Sequence, residues 1–236
     1  YRRQRQMCIR DREEYVMKIS EVIDLSWRYG AETRLAPGSV PMQIRKSGCT
    51  ANGDAIELTS VEHFCVHYGT DLDCPAHMIQ GGFHIEDRPV GFFVGQGLVV
   101  DCSGYAPGTR IGPEILEGVC LDGVDFLLLY TGWAKKFGTD AQYGSYPLLS
   151  EALAQQLGAH PTLRGIGMEL NNYDVIGDTS FPIHRLLLGQ NSKILLEALR
   201  NLDRLLGKRF LLVAAPLVFE NAEGGPCRAL ALVEAD

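Results

Sequence analysis

No run of the chain reaches the roughly 20 uninterrupted apolar residues that a membrane-spanning helix needs. None shows the basic, apolar, small-residue order of a signal peptide either, so a soluble, cytoplasmic protein is the expectation. Positive charge is scarce: 22 Lys and Arg stand against 29 Asp and Glu, a net charge of -7, and basic residues cluster only at the extreme N-terminus. That argues against a broad phosphate-binding surface and so against nucleic acid as a partner. The seven cysteines (Cys8, Cys49, Cys65, Cys74, Cys102, Cys120, Cys227) are odd in number and irregularly spaced, with no C-x-x-C pair. Neither a disulfide framework nor a zinc ribbon is indicated, and the thiols are read as reduced and used for packing. Linkers, low-complexity tracts and internal repeats are also missing.

What is present is 46% hydrophobic residues over 236 positions, enough for a substantial core. Residues 1–16, YRRQRQMCIRDREEYV, are dense in charge and lack any structural period. They are read as a non-native or disordered extension, and 17–236 as one domain opening at Met17. Strand-like apolar runs recur in VIDLSW, FCVHYGT, GLVVDCS, FLLLYTG, GIGMEL, RFLLVAAPLVF and RALALVE. Helical spacing is confined to EILEGV, LLSEALAQQLGA, FPIHRLLLG and LLEALRNLDRLLGKR. Several strands follow one another without a helix between them, so the expected fold class is α/β, a single domain with a mixed β-sheet and flanking helices.

One segment concentrates chemistry. HYGTDLDCPAH carries His67, Asp71, Asp73 and His77 at alternate positions, which in an extended chain project to one side. In a straight strand residues four apart lie about 13 Å apart, too far to share one ion. Gly69 and Pro75 supply the bend that convergence requires, since Pro75 also blocks regular ladder hydrogen bonding. The blander reading is a polar strand end whose aspartates cap a turn. Cys65 and Cys74 flank the segment, but neither lies in a Cys–His arrangement, and the period-two pattern turns Cys74 away from the acidic face.

HYGTDLDCPAH resembles the H-x-G-T-H-x-D-x-P-x-H signature of the cyclase-like metal hydrolases, which include bacterial kynurenine formamidase and isatin hydrolase. IDLSW, LLLYTGWAKKFGT with YPLLS, FPIHRLLLG with LLEALRNLD, and GGPCRALALVE look like further family segments in the same order, covering nearly everything after Met17. The resemblance implies a swivelling β/β/α architecture assembled as a homodimer or higher homo-oligomer. It implies His67, Asp71, Asp73, His184 and Glu197 as ligands of one or two divalent ions, Mn²⁺ or Zn²⁺, with His77 as the proton-transfer residue. It further implies a small-molecule amide substrate, hydrolysed in the manner of an arylformamidase, with N-formylkynurenine of tryptophan catabolism as the familiar case.

Two departures qualify that picture. Asp71 stands where the family has its second histidine; carboxylate oxygen in place of imidazole nitrogen moves preference from Zn²⁺ toward harder ions such as Mn²⁺, or weakens the site. Ala36 replaces the aromatic residue that family members often carry before the N-terminal Pro-Gly, here Pro37 and Gly38, leaving Trp27 or Trp133 as substitute stacking surfaces. Both departures favour a related hydrolase or cyclase acting on a lactam, lactone or secondary metabolite. A metal-free binding protein on the same fold is the reading from outside enzymology.

Overall fold

A computed structural model describes residues 18–30, 33–190 and 192–235. The reading of residues 1–16 as an extension, and of Met17 as the opening of the domain, lies outside the described residues. Among the described residues thirteen strands run in chain order: β1 (Ile19–Asp24), β2 (Gln43–Gly48), β3 (Leu58–Glu62), β4 (Asp71–Asp73), β5 (Val94–Asp101), β6 (Arg110–Ile111), β7 (Phe126–Tyr130), β8 (Leu148–Leu149), β9 (Gly165–Met168), β10 (Ile194–Glu197), β11 (Phe210–Val213), β12 (Gly224–Pro226) and β13 (Leu230–Glu234). Two α-helices, α1 (Glu151–Ala159) and α2 (Pro182–Leu188), interrupt them.

Nine strands form one mixed sheet in the order β1-β13-β11-β5-β7-β9-β10-β4-β12. The centre, β5-β7-β9-β10, is parallel, and the strands on either side of it are antiparallel. Parallel strands covered on both faces read as continuous apolar runs. FLLL and GIGM accordingly have no exposed residue. Alternation still decides which face each side chain serves. Phe126, Leu128, Ile194, Leu196 and Leu72 enter one core cluster with Phe210 and Leu212. Leu127, Leu129, Ile166, Met168 and Leu195 enter the other, where Leu153 and Leu157 of α1 and Leu187 and Leu188 of α2 cover them.

The helices begin where local chemistry says they should. Ser150 caps α1 by accepting the Leu153 N–H, and Pro182 takes the first position of α2, where its missing N–H costs nothing. Two expected helices are not formed as such. EILEGV makes only a short 3₁₀ turn, Pro113–Leu116. LLEALRNLDRLLGKR begins as strand β10, because Ile194–Leu196 is wedged between β9 and β4, and continues through the positive-φ residues Ala198 and Asn201 to a 3₁₀ turn at Leu202–Leu205. Its helical spacing reflects Leu199, Leu202 and Leu205 reaching the core, and tertiary pairing overrides propensity.

FCVHYGT is not a strand. β3 ends at Glu62, His63 has φ 55°, and Gly69 has φ 68°, so the chain turns through this region. Among the described residues β2 and β3 pair only with each other, as a ribbon outside the main sheet.

Phe210 is fully buried on β11 and packs beside Gly97 of β5, where any Cβ would strike its ring. Phe210→Ala is expected to cost about 3–5 kcal/mol of stability, read from urea unfolding midpoints.

Candidate metal centre

Three residues of β4 and one register decide the site. In the antiparallel β4–β10 pair Asp71 lies opposite Glu197, and Asp73 lies opposite Leu195. Asp71, Asp73 and Glu197 therefore share the sheet face on which α2 sits, and all three are buried. Leu72 points the other way into the core, as does Cys74, whose thiol burial pushes up to about 12. Pro75 then ends the strand and opens a 3₁₀ turn ending at His77.

His67 reaches this cluster from the turn before β4. Gly69 makes the turn possible twice over: its φ is positive, and a Cβ there would lie 2.8 Å from the Tyr29 ring. His67 Nδ1 comes to 2.8 Å from Asp73 Oδ1 and 3.3 Å from Asp71 Oδ2, while its Nε2 lies 3.2 Å from Glu223. Gly224, next to Glu223 on β12, leaves room for the ring, since a Cβ would sit 2.5 Å from His67 Cε1. From the other side, His184 in the first turn of α2 directs Nε2 at Glu197 (3.4 Å) and Asp73 (3.6 Å).

The orientation of His184 is set by Asp174. That buried carboxylate lies 2.6 Å from His184 Nδ1 and also accepts the backbone N–H groups of Ile183 and His184. A carboxylate behind an imidazole, fixing which nitrogen faces forward, is the usual support of a metal-ligating histidine. Nothing in the sequence spacing marks Asp174. Glu223 was also missed, although it directly precedes the GGPCRALALVE segment.

All five residues expected as ligands therefore converge, and His77 stands beside them with its ring centroid 4.2 Å from that of His67. Two groups have ligand atoms close enough to hold an ion, His67–Asp71–Asp73 and Asp73–His184–Glu197, and they share Asp73. A third group is His67–His77–Glu223.

Electrostatics supports a cation here. Burial raises the Asp71 carboxyl well above its ordinary range, and repulsion from Glu197 and Asp73 adds to it. Glu197 is raised as well, by burial first and by Asp73. Asp73 goes the other way, since its contacts with His184 and His67 outweigh burial and hold it ionised. Burial opposes charge on His67, yet Asp71 and Asp73 prevail and hold its imidazole protonated, pushed up to about 12. Asp71 Oδ2 and Asp73 Oδ1 remain buried without a hydrogen bond, because His67 Nδ1, although near, is aligned with neither. Orphaned carboxylate oxygens facing imidazole nitrogens are the donor set that a divalent ion satisfies, and the residues present fit one.

Above the cluster opens a cavity of about 170 Å³. Ala36 is in its wall, and Tyr68 and Phe181 are its aromatic members. Trp27 and Trp133 do not supply the missing aromatic surface: Trp27 is stacked on Phe137, and Trp133 packs against Tyr146.

A family model, Cyclase, described as "Putative cyclase", matches residues 23–175, well over half of the chain. The chain belongs to the cyclase family. Among curated cyclase-family relatives, the kynurenine formamidase of Bacillus mycoides (strain KBAB4) is 26% identical over 217 residues, covering 91% of this chain and 98% of the relative. That of Bacillus cytotoxicus is 29% identical over the same length and coverage. Isatin hydrolase A from Labrenzia aggregata, solved with benzyl benzoate, superposes with a TM-score of 0.77 at 26% identity, over 91% of this chain and 94% of that one. Isatin hydrolase A from Ralstonia solanacearum gives 0.78 at 24% identity, a likeness of fold. The expected cyclase-like fold is thereby established.

Two outcomes are expected of this centre. Asp174→Ala, which frees His184 to rotate, should weaken divalent-metal affinity about 10–100-fold, measured by competition with a chromophoric chelator. Metal binding must also displace the proton on His67 and any held by Asp71 or Glu197, so affinity should rise with pH. Calorimetry in buffers of differing ionisation enthalpy should show more than one proton released per ion.

Proposed function

We propose that the protein is a metal-dependent hydrolase of the C–N bond of a formamide or cyclic amide, of the arylformamidase type. The observation that carries this reading is the convergence of His67, Asp71, Asp73, His184 and Glu197 around two orphaned carboxylate oxygens, all but Asp71 lining a cavity that His77 also lines. The Asp73–His184–Glu197 group and the His67–Asp71–Asp73 group would each hold an ion, with Asp73 common to both. The predominance of carboxylate oxygen favours Mn²⁺ over Zn²⁺. A divalent ion so held supplies Lewis acidity toward a carbonyl and lowers the pKa of a bound water toward neutrality.

The protein's own contribution is proton handling and placement. Burial lowers the His77 pKa, the positive His67 and His184 lower it further, and Asp73 offsets them in part. The imidazole is thus neutral near pH 7 and able to take a proton from attacking water. Delivered to the leaving nitrogen, that same proton releases the amine, and the carboxylic acid formed loses its remaining proton to solvent. Tyr68 and Phe181 give the cavity an aromatic wall. No covalent enzyme intermediate is required: Cys74 is buried on the opposite face of β4, and Cys65 reaches the cavity without a base in hydrogen-bond contact.

A second reading, a lactam or lactone hydrolase, is favoured by the cavity itself. It is small beside the roughly 300 Å³ at which drug-sized sites begin, and among the described residues no lysine or arginine lines it. A compact, uncharged ring fits those conditions better than N-formylkynurenine, whose amino-acid end is charged. Homo-oligomeric assembly is proposed with either reading, and no described helix is long and apolar enough to cross a membrane.

Protein purified without chelator or nickel is expected to carry one or two equivalents of manganese or zinc, lowered in Asp71→Ala. Loaded enzyme should hydrolyse N-formylkynurenine or isatin, followed by absorbance. His77→Ala should abolish turnover with metal content intact; an active His77→Ala enzyme would remove that residue from the mechanism.

A further inference from the structure

Two asparagines in the cavity wall, Asn171 and Asn172, are given no part in the reading above. They leave β9 on the way to α2, immediately before Tyr173 and the Asp174 that orients His184. A side-chain amide has one accepting end and one donating end, so which end faces the cavity depends on what the protein does with the other.

Backbone donors settle that question for both. The Gly138 N–H can only donate, so the Gln142 atom at 2.8 Å from it must be the carbonyl oxygen Oε1. The other end of Gln142 is then Nε2, which donates to Asn171 at 2.9 Å, and Asn171 must meet it with Oδ1. Gln142 is 1% exposed, and its own backbone carbonyl receives the Trp133 indole N–H, so this relay is firmly seated. Asn172 is fixed more directly, because the Asp174 N–H donates to its Oδ1 at 2.7 Å. Each carbonyl end is thus committed to the scaffold. Each NH₂ group is left without a protein partner among the described residues, yet neither is among the buried unsatisfied atoms.

We propose that Asn171 and Asn172 form a pair of N–H donors that binds an uncharged carbonyl oxygen of the substrate, and that Gln142 is the positioning residue that turns Asn171 donor-first. The inference rests on the hydrolase reading and narrows its substrate class. Amide donors in a cavity lined by the carboxylates of Asp73 and Glu197, and by no lysine or arginine among the described residues, serve a neutral acceptor and disfavour an anionic one. The enzyme is therefore expected to prefer neutral amides and lactams to amides bearing a carboxylate tail.

Substitutions that spare the scaffold contacts test this. Asn171→Asp and Asn172→Asp retain an oxygen for Gln142 Nε2 and for the Asp174 N–H and remove only the donors. Gln142→Glu still accepts from Gly138 but offers Asn171 an oxygen, which should reverse the Asn171 amide without altering that residue. With metal content equalised and isatin as the probe, Asn171→Asp and Gln142→Glu should each raise KM about 10–100-fold with a smaller change in kcat, the opposite split from His77→Ala. Unchanged KM in both variants would overturn the donor pair and leave the hydrolase reading standing. If metal-loaded wild type hydrolyses neither isatin nor N-formylkynurenine, the hydrolase reading fails for these substrates, and calorimetric binding of isatin decides the pair. Saturable binding weakened by both variants supports it; no binding, or binding indifferent to them, overturns it.

Discussion

Three carboxylates buried on one face of two paired strands, with no lysine or arginine paired to them among the described residues, are the constraint around which this structure is arranged. Asp71 and Glu197 face each other across the β4–β10 pair, and Asp73 sits two residues further along the same face. Such an arrangement is unfavourable unless positive charge is supplied. The protein answers with histidines, each backed by a further carboxylate: His184 by Asp174 and His67 by Glu223. These supporting acids bias the imidazoles toward the cluster, and the two orphaned oxygens mark where the compensation is still incomplete. The turn at Gly69, the missing side chain at Gly224 and the start of α2 at Pro182 all serve to bring imidazoles to that face.

Much of this was legible in the sequence, and the reasons differ by residue. The odd-numbered spacing of His67, Asp71, Asp73 and His77 predicted a shared side, and it holds for Asp71 and Asp73 because they occupy a true strand. For His67 and His77 the convergence has another origin, a glycine turn before the strand and a proline-initiated 3₁₀ turn after it. Residues expected to act by strand alternation thus act through the strand's interruption. His184 and Glu197 were placed by resemblance to the family, and the structure brings both to the cluster, Glu197 from a strand where helical spacing predicted a helix.

What escaped the sequence is what depends on partners far away in the chain. Asp174 becomes recognisable only when α2 places His184 over it, and Asn171 and Asn172 acquire a direction only through Gln142, which comes from a separate loop. Hydrogen-bond polarity of this kind is a property of the assembled network. The two tryptophans illustrate the converse: aromatic residues that could have stacked on a ligand are used up against Phe137 and Tyr146. Aromatic character in the cavity comes instead from Phe181, held at a positive φ just ahead of α2, and from Tyr68.

The pairing of β1 with β13 has a consequence for biosynthesis. Ile19 lies opposite Glu234, and β13 is also the strand that joins β1 to the rest of the sheet through β11. On the ribosome, at about 5–20 residues per second, β1 must wait on the order of 10–40 s after its own synthesis for the strand that receives it. Until then Ile23 and Leu25, both fully buried in the finished protein, have nowhere to go. From the synthesis of β1 until that of β13 the nascent chain therefore carries an unsatisfied apolar edge, which makes it a natural client for chaperones that hold such segments.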